Sequence, residues 1–280
     1  MNGYKPMLSF KRIIPVICQR LGLTGNAYSS TRDLLPVALL FTALFCGGAR
    51  AQGIDDLLPV TENYPPLNFE QGGKVRGIAA DLLGEMLRQA GSRKTRADFQ
   101  VWPWARAYQT SLTQKNVLIF AITRTEAREN LFKWVGPIMP SKIALFAKKS
   151  RNIRIKDAAE LLASDYRIGV VRDDIGEQRL QELGVKPERL HPNTSGQAVA
   201  KMLAADRVDM WAYGTHVVLW NMKELGIPSN DYEEVYTLVE SQQYYALSKD
   251  VSDTVVKKLQ DALNTLKTNG KLTEILARYR

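Results

Sequence analysis

The chain has 280 residues, of which 45% are hydrophobic and 24% are charged, and this composition excludes a disordered tail or a fibre. Its two cysteines and two histidines leave little material for a metal site, so we expect neither a metal nor another cofactor. The formal net charge of +9 raises nucleic acid or an acidic membrane as partners, depending on where the charges lie.

The N-terminal segment has the features of a secretory signal. Residues 34–46 form an apolar run of 13 residues. A bilayer span needs about 20 residues, so the run is too short to cross a membrane, but it is typical of the apolar core of a signal peptide. Ala49-Arg50-Ala51 follows as a small-x-small cleavage pattern and predicts cleavage after Ala51. We therefore expect residues 1–51 to be a leader and the protein to be periplasmic.

Removal of this leader lowers the net charge from which a partner is inferred. Residues 52–280 contain 32 basic and 28 acidic residues, so their net charge is +4. Both cysteines, Cys18 and Cys46, also leave with the leader. We therefore expect no nucleic-acid partner. An exported chain without disulfides depends on its hydrophobic core, and a chain of this length is able to bury one.

The rest of the chain alternates short apolar strands with amphipathic helices. Strands are predicted at 57–61, 99–102, 117–122, 143–147, 167–171, 208–212 and 244–247. Helices are predicted at 77–90, 174–183 and 195–205, after Ser252 and after Gly270. In the first helix, Ile78, Leu82 and Met86 form one apolar stripe. This alternation predicts an α/β fold in which helices cover parallel sheets.

Polar and aromatic residues occur where predicted strands end or helices begin, the edges at which open α/β sheets bind ligands. Tyr64 follows the first strand beside two prolines, which either present it to a cleft or simply fix a rigid turn. Trp104 and Arg106 lie at a helix start. A positive side chain gains nothing from the helix dipole there, so either an anionic ligand or a salt bridge would explain Arg106.

Three further strand ends carry candidate ligand-binding residues. Thr123 and Arg128 follow one strand, and a guanidinium binds a carboxylate through two parallel hydrogen bonds. Asp174 follows another strand and either caps the next helix or faces a ligand. Tyr213 follows a third. The sequence contains no Gly-rich phosphate loop, HExxH, CxxC or GxSxG motif, so we predict no catalytic residue and no metal ligand.

The order and spacing of several segments resemble the type 2 periplasmic solute-binding proteins of the polar amino acid class, which serve ABC importers. The segments are TENYPPLNF, GIAADLLGEML, ITRTEARENLFKWVGPI, DRVDMWAYG, YYALSKD and LQDALNTLKTNGKLTEILARY. The resemblance covers about Leu57 to Arg280, nearly all of the chain after the leader.

This resemblance implies two α/β lobes joined by two hinge strands, with a ligand cleft between them. Lobe 1 would comprise residues 52–142 and 246–280, and lobe 2 would comprise residues 143–245. The hinge crossings would lie near residues 142–146 and 243–247. The lobes would close on a small solute by hinge bending. The closed form, a monomer, would then be recognised by an ABC permease in the inner membrane.

The resemblance also assigns site residues, with two departures. Arg128 matches the family's carboxylate-binding arginine, Thr123 matches the hydroxyl donor before it, and Tyr64 falls where the family has an aromatic wall. Members that bind amino acids commonly have an aspartate for the ligand's ammonium where this sequence has Gly214. The family's Gly-Thr is replaced by Asp173-Asp174. Either Asp174 supplies the missing anion or the ligand has no α-ammonium.

Two other functions stay open beside a binding protein. The same fold occasionally hosts an enzyme, such as a dehydratase, which would need a general acid or base in the cleft. Glu62 and Asp174 are the candidates for that role. The chain could also present its ligand to a separate sensory receptor. The capture of a carboxylate-bearing solute is the leading interpretation.

Overall fold

The computed structural model describes residues 53–279, so the predicted leader lies outside the described residues. Within this range the strands are β1 (Leu58–Thr61), β2 (Phe69–Gln71), β3 (Lys74–Arg76), β4 (Gln100–Val101), β5 (Val117–Thr123), β6 (Lys133–Val135), β7 (Pro140–Lys148), β8 (Ile168–Val171), β9 (Leu190–Asn193), β10 (Met210–Gly214) and β11 (Tyr232–Leu247). The helices are α1 (Ile78–Gln89), α2 (Trp104–Thr113), α3 (Glu126–Glu129), α4 (Ala158–Ala163), α5 (Ile175–Glu182), α6 (Gly196–Ala204), α7 (Thr215–Glu224), α8 (Asp253–Thr268) and α9 (Lys271–Ala277). None of these helices combines the length and the apolar character that a membrane crossing requires.

One long strand, β11, joins two halves of the main sheet. The strand order is β4-β1-β5-β11-β7-β10-β8-β9, and β6 also pairs with β11. Residues 232–242 of β11 run antiparallel to β7, whereas residues 243–247 run antiparallel to β5 and β6. We call β1, β4, β5, β6 and residues 243–247 the first half-sheet, and β7 to β10 with residues 232–242 the second half-sheet.

Most of the predicted elements are confirmed to within a few residues. The helix predicted at 77–90 is α1, and its stripe of Ile78, Leu82 and Met86 is buried. Ser252 caps α8, its hydroxyl accepting a hydrogen bond from a backbone N–H of the first turn, and Gly270 separates α8 from α9. The strand predicted at 244–247 is much longer than expected, because residues 232–242 before it pair with β7.

The core of each half-sheet consists of its buried strands and the helices packed on them. All seven residues of β5 are buried, as are all four of β8 and all five of β10. Helix α8 packs against α1, so the C-terminal helices cover the first half-sheet. Each fully buried leucine in such a core contributes about 1.5–3 kcal/mol. Burial on this scale fixes the strand ends from which the candidate site residues project.

Candidate ligand-binding site

Arg128 is a charged residue at the centre of the candidate site, and only 1% of its side chain is exposed. Its Nη1 donates to the Thr123 carbonyl at 3.3 Å, while Nε and Nη2 donate to Oε1 of Gln178 at 3.2 and 2.9 Å. The guanidinium carbon lies 5.0 Å from the ring centre of Tyr108 and 5.6 Å from that of Trp104. A buried cation therefore lies between two aromatic faces and an amide from the other half of the molecule.

Trp104 and Gln178 connect the two half-sheets through one carbonyl group. Nε1 of Trp104 donates to the Asp173 carbonyl at 2.8 Å, and Nε2 of Gln178 donates to the same oxygen at 2.9 Å. Asp173 has a φ of 59°, in the left-handed region that aspartate tolerates better than most residues. Trp104 also stacks on Tyr108, with 5.4 Å between ring centres. These contacts fix the turn between β8 and α5 against the start of α2.

Two buried carboxylates accompany Arg128. Asp174 precedes α5 and is 5% exposed, and Glu62 follows β1 and is 6% exposed. Burial raises the pKa of Asp174 to about 6, against the lowering effects of Arg128 and of the first backbone N–H groups of α5. Burial and the charge of Asp174 raise the pKa of Glu62 well above its ordinary value. The site therefore contains one guanidinium and two acids whose ionised forms are disfavoured.

Two tyrosines form the wall beside these carboxylates. Tyr64 and Tyr213 meet edge to face with 5.2 Å between ring centres, and Tyr213 stacks on Trp211 at 5.3 Å. The Tyr213 hydroxyl lies 3.4 Å from Oε2 of Glu62, a long contact for an O–H donor. A Cβ built on Gly214 would collide with the Tyr64 hydroxyl. Glycine at 214 thus lets Tyr64 pack directly against the backbone of β10.

The structure brings together five of the seven predicted ligand-binding residues: Tyr64, Trp104, Arg128, Asp174 and Tyr213. Thr123 contacts Arg128 through its carbonyl, but its hydroxyl lies 3.0 Å from that of Ser141 and accepts a hydrogen bond from Gln243 at 3.2 Å. Arg106 lies outside the cluster. It is exposed, and its guanidinium carbon stacks 4.1 Å above the Trp102 ring.

Sequence reasoning missed Tyr108 and Gln178, which both contact Arg128. Each is a helical residue four positions after a predicted site residue, Trp104 and Asp174 respectively. Residues four apart share a helix face, so the spacing from Trp104 and Asp174 indicates that both side chains lie on the side of the candidate site.

A cavity of about 710 Å³ lies beside this cluster, at the boundary between the half-sheets. Its lining includes Thr125 of the first half, Ile175 and Arg179 of α5, and Glu240 of β11. Its lining also includes Ala127, which precedes Arg128 in the sequence, and Ile175 directly follows Asp174. A cavity of about 900 Å³ against the β2–β3 hairpin contains none of the predicted site residues.

Residues 58–280 match the family of bacterial extracellular solute-binding proteins, family 3. Solved structures share the fold at low sequence identity. A histidine kinase sensor domain with similarity to periplasmic binding proteins has a TM-score of 0.69 at 18% identity, over 80% of this chain and 95% of its own. An ancestral arginine-binding protein bound to arginine has a TM-score of 0.67 at 22% identity, over 81% and 99%.

An arginine-, lysine-, histidine-binding protein from the thermophilic bacterium Geobacillus stearothermophilus gives a TM-score of 0.67 at 19% identity, over 80% of this chain and 94% of its own. The predicted two-lobe α/β fold and the predicted family resemblance are therefore confirmed. The lobe boundaries at residues 142 and 245 stay a prediction.

Proposed function

Because the chain belongs to the bacterial extracellular solute-binding proteins of family 3, we propose that it is the periplasmic binding component of an ABC importer. It captures a small carboxylate-bearing solute, an amino acid or a related compound, between its two lobes. The buried guanidinium of Arg128 is the observation that carries this proposal. The closed monomer then delivers the solute to the permease.

The hydrogen bonds of Arg128 support a carboxylate as the ligand group. Nε and Nη2 form the edge of the guanidinium fork that can donate to the two oxygens of a carboxylate. Here both donors point at a single amide oxygen, Oε1 of Gln178. A ligand carboxylate would offer two charged oxygens to the same edge, and charge-assisted hydrogen bonds are stronger than neutral ones. A solute carboxylate therefore has a reason to replace Gln178 on Arg128.

The test is a thermal-shift screen of amino acids and small carboxylates, followed by calorimetry with the best binder and Arg128 variants. Arg128→Ala should weaken binding by more than about 2 kcal/mol, and Arg128→Lys should keep the charge but lose the paired hydrogen bonds. Arg207→Ala is the matched control, because Arg207 is an exposed arginine of the turn before β10. Normal binding by Arg128→Ala would contradict the proposal.

The same calorimetry distinguishes the predicted role of Arg106 from that of Arg128. Arg106→Ala should bind like the wild type if the exposed stack on Trp102 is its whole role. A loss of affinity in this variant would support the predicted contact with the ligand.

Export is tested separately, by sequencing the N-terminus of the protein recovered from the periplasm. We propose Gln52 as its first residue. A protein that starts elsewhere would contradict cleavage after Ala51.

A further inference from the structure

The positive charge of the chain after its leader is unevenly distributed. Residues 52–142 and 246–280, the predicted lobe 1, contain 19 basic and 13 acidic residues, whereas residues 143–245, the predicted lobe 2, contain 13 basic and 15 acidic residues. The net charge of +4 is therefore +6 in the first part and −2 in the second. A surplus of one sign raises the local concentration of ions of the opposite sign at the surface that carries it.

Part of this surplus lies around the cavity of about 900 Å³ against the β2–β3 hairpin, which we call the basic cavity. Four cationic residues from three separate stretches of the chain line it: Lys74 and Arg76 of β3, Arg96 before β4, and Arg278 after α9. Its lining also includes two acidic residues, Glu70 and Asp81. The residues that line the basic cavity thus carry a surplus of two positive charges.

Two of these cations have no protein partner in the described part of the chain. Lys74 and Arg76 are exposed, and among residues 53–279 neither side chain forms an ion pair or a hydrogen bond. A nearby arginine behaves differently, since Arg93 pairs with Asp55 at 2.8 Å. Lysine and arginine have only donors, so an anion in the cavity would provide the acceptors that Lys74 and Arg76 do not find in the protein.

The other two cations are held by one buried carboxylate. Asp81 is 8% exposed, forms an ion pair with Nη1 of Arg96 and accepts a hydrogen bond from the Tyr279 hydroxyl at 2.9 Å. Nη1 of Arg278 lies 3.7 Å from Oδ2 of Asp81, and its Nη2 pairs with Glu274. Asp81 therefore fixes the guanidinium groups of Arg96 and Arg278 at the wall of the basic cavity.

We infer that the basic cavity binds a small anion that carries a phosphate group. A phosphate monoester has about 1.5 to 2 negative charges at pH 7, which is close to the surplus of the lining. A guanidinium donates two parallel hydrogen bonds to phosphate oxygens, and lysine binds phosphate as a point charge. Cations from three stretches of chain can surround a tetrahedral group. A soluble phosphate ester and the head group of an anionic phospholipid offer this same chemistry.

This site is separate from the ligand site of the proposed function. None of the seven predicted ligand-binding residues lines the basic cavity. Its cationic residues all belong to the predicted lobe 1, so its occupation does not require the two lobes to close on each other. The two sites can therefore be tested independently.

Calorimetry of the purified protein with glycerol 3-phosphate tests the inference, with glycerol as the uncharged control. At about 20 mM salt we expect glycerol 3-phosphate to bind with a Kd of about 1 mM or tighter, and glycerol not to bind. The binding should weaken as salt is raised to about 500 mM, because the cations are exposed and their attraction is screened.

Charge variants locate the anion. Lys74→Gln combined with Arg76→Gln should weaken the binding of glycerol 3-phosphate at least about fivefold. Lys149→Gln combined with Lys201→Gln is the matched control, because it removes the same charge from exposed positions of the predicted lobe 2 and should change the affinity by less than about twofold.

Removal of an acid should have the opposite effect. Glu70 is exposed and lines the basic cavity, so Glu70→Gln should tighten the binding of glycerol 3-phosphate by about 1.5- to 5-fold.

Cosedimentation with vesicles distinguishes the two sources of phosphate. Binding to phosphatidylglycerol vesicles but not to phosphatidylcholine vesicles, lost when Lys74 and Arg76 are replaced, would support a lipid head group. Binding of glycerol 3-phosphate without binding to either kind of vesicle would support a soluble phosphate ester.

The outcomes that overturn the inference are equally specific. If neither glycerol 3-phosphate nor phosphatidylglycerol vesicles bind at about 20 mM salt, the basic cavity is not a phosphate site. Equal losses in the double variant at Lys74 and Arg76 and in the control at Lys149 and Lys201 would show a general attraction by net charge, which overturns it as well. The variant at Lys74 and Arg76 should bind the best solute of the thermal-shift screen like the wild type, so failure here leaves the proposed function intact.

Discussion

The buried carboxylate of Asp174 makes a specific prediction about how stability depends on pH. Burial raises its pKa from the ordinary 3.8 to about 6. Each pKa unit corresponds to about 1.4 kcal/mol, so this difference corresponds to roughly 3 kcal/mol between the protonated and ionised forms. Replacing Asp174 by asparagine removes the ionisable group and keeps a side chain of nearly the same size and shape.

The sign of the effect follows from proton binding. The folded protein holds a proton on Asp174 at pH values where the unfolded chain has already lost it. The stability associated with this proton is complete below about pH 4 and is lost as the pH rises through about 6. The wild type should therefore lose up to roughly 3 kcal/mol relative to Asp174→Asn between about pH 4 and about pH 8.

Denaturant titration followed by tryptophan fluorescence measures this difference at each pH. Glu62 titrates together with Asp174, so the same comparison is repeated in a Glu62→Gln background, where one acid remains. Asp157→Asn is the control, because Asp157 is an exposed helix-capping aspartate before α4. A difference between wild type and Asp174→Asn that stays constant over this pH range would refute the reasoning.

Three further substitutions test other parts of the structure. Gln178→Glu places a carboxylate against Arg128, where it should compete with the ligand and weaken binding at least about tenfold by calorimetry. Trp104→Phe keeps the aromatic stack but loses the hydrogen bond to Asp173, which should raise the Kd about 2- to 12-fold, corresponding to about 0.5–1.5 kcal/mol. Leu263→Ala opens a cavity under α8 and should lower the free energy of unfolding by about 2–5 kcal/mol in denaturant titrations.

Local sequence patterns predict those helices and strands whose buried residues form a periodic stripe or a continuous apolar run. The apolar stripe of α1 and the continuous apolar run of β5 are confirmed, because each packs one defined surface against the core. The first part of β11 was missed for the opposite reason. Its residues are mostly half-buried and mix polar with apolar side chains, and its strand conformation depends on pairing with β7, which lies far away in sequence.

The site shows a similar division. The clustering of Arg128, Asp174 and Tyr213 could be predicted, because Arg128 and Asp174 follow buried strands, Tyr213 lies near the end of one, and strand ends converge at one edge of a sheet. The exposed stack of Arg106 on Trp102 could not, since a helix-start position does not say which face a side chain takes. The role of Gln178 depends on the approach of two half-sheets, and no local pattern encodes that approach.

Side chains of the two half-sheets meet around Arg128 through hydrogen bonds and aromatic contacts. Trp104 donates to the Asp173 carbonyl, Arg128 donates to Gln178, and Tyr64 packs against Tyr213. Neutral hydrogen bonds contribute about 1 kcal/mol each, whereas moving a population from mostly open to mostly closed takes about 5.5 kcal/mol. If the two lobes close on a solute as proposed, charge-assisted hydrogen bonds from Arg128 to a ligand carboxylate would contribute to this difference.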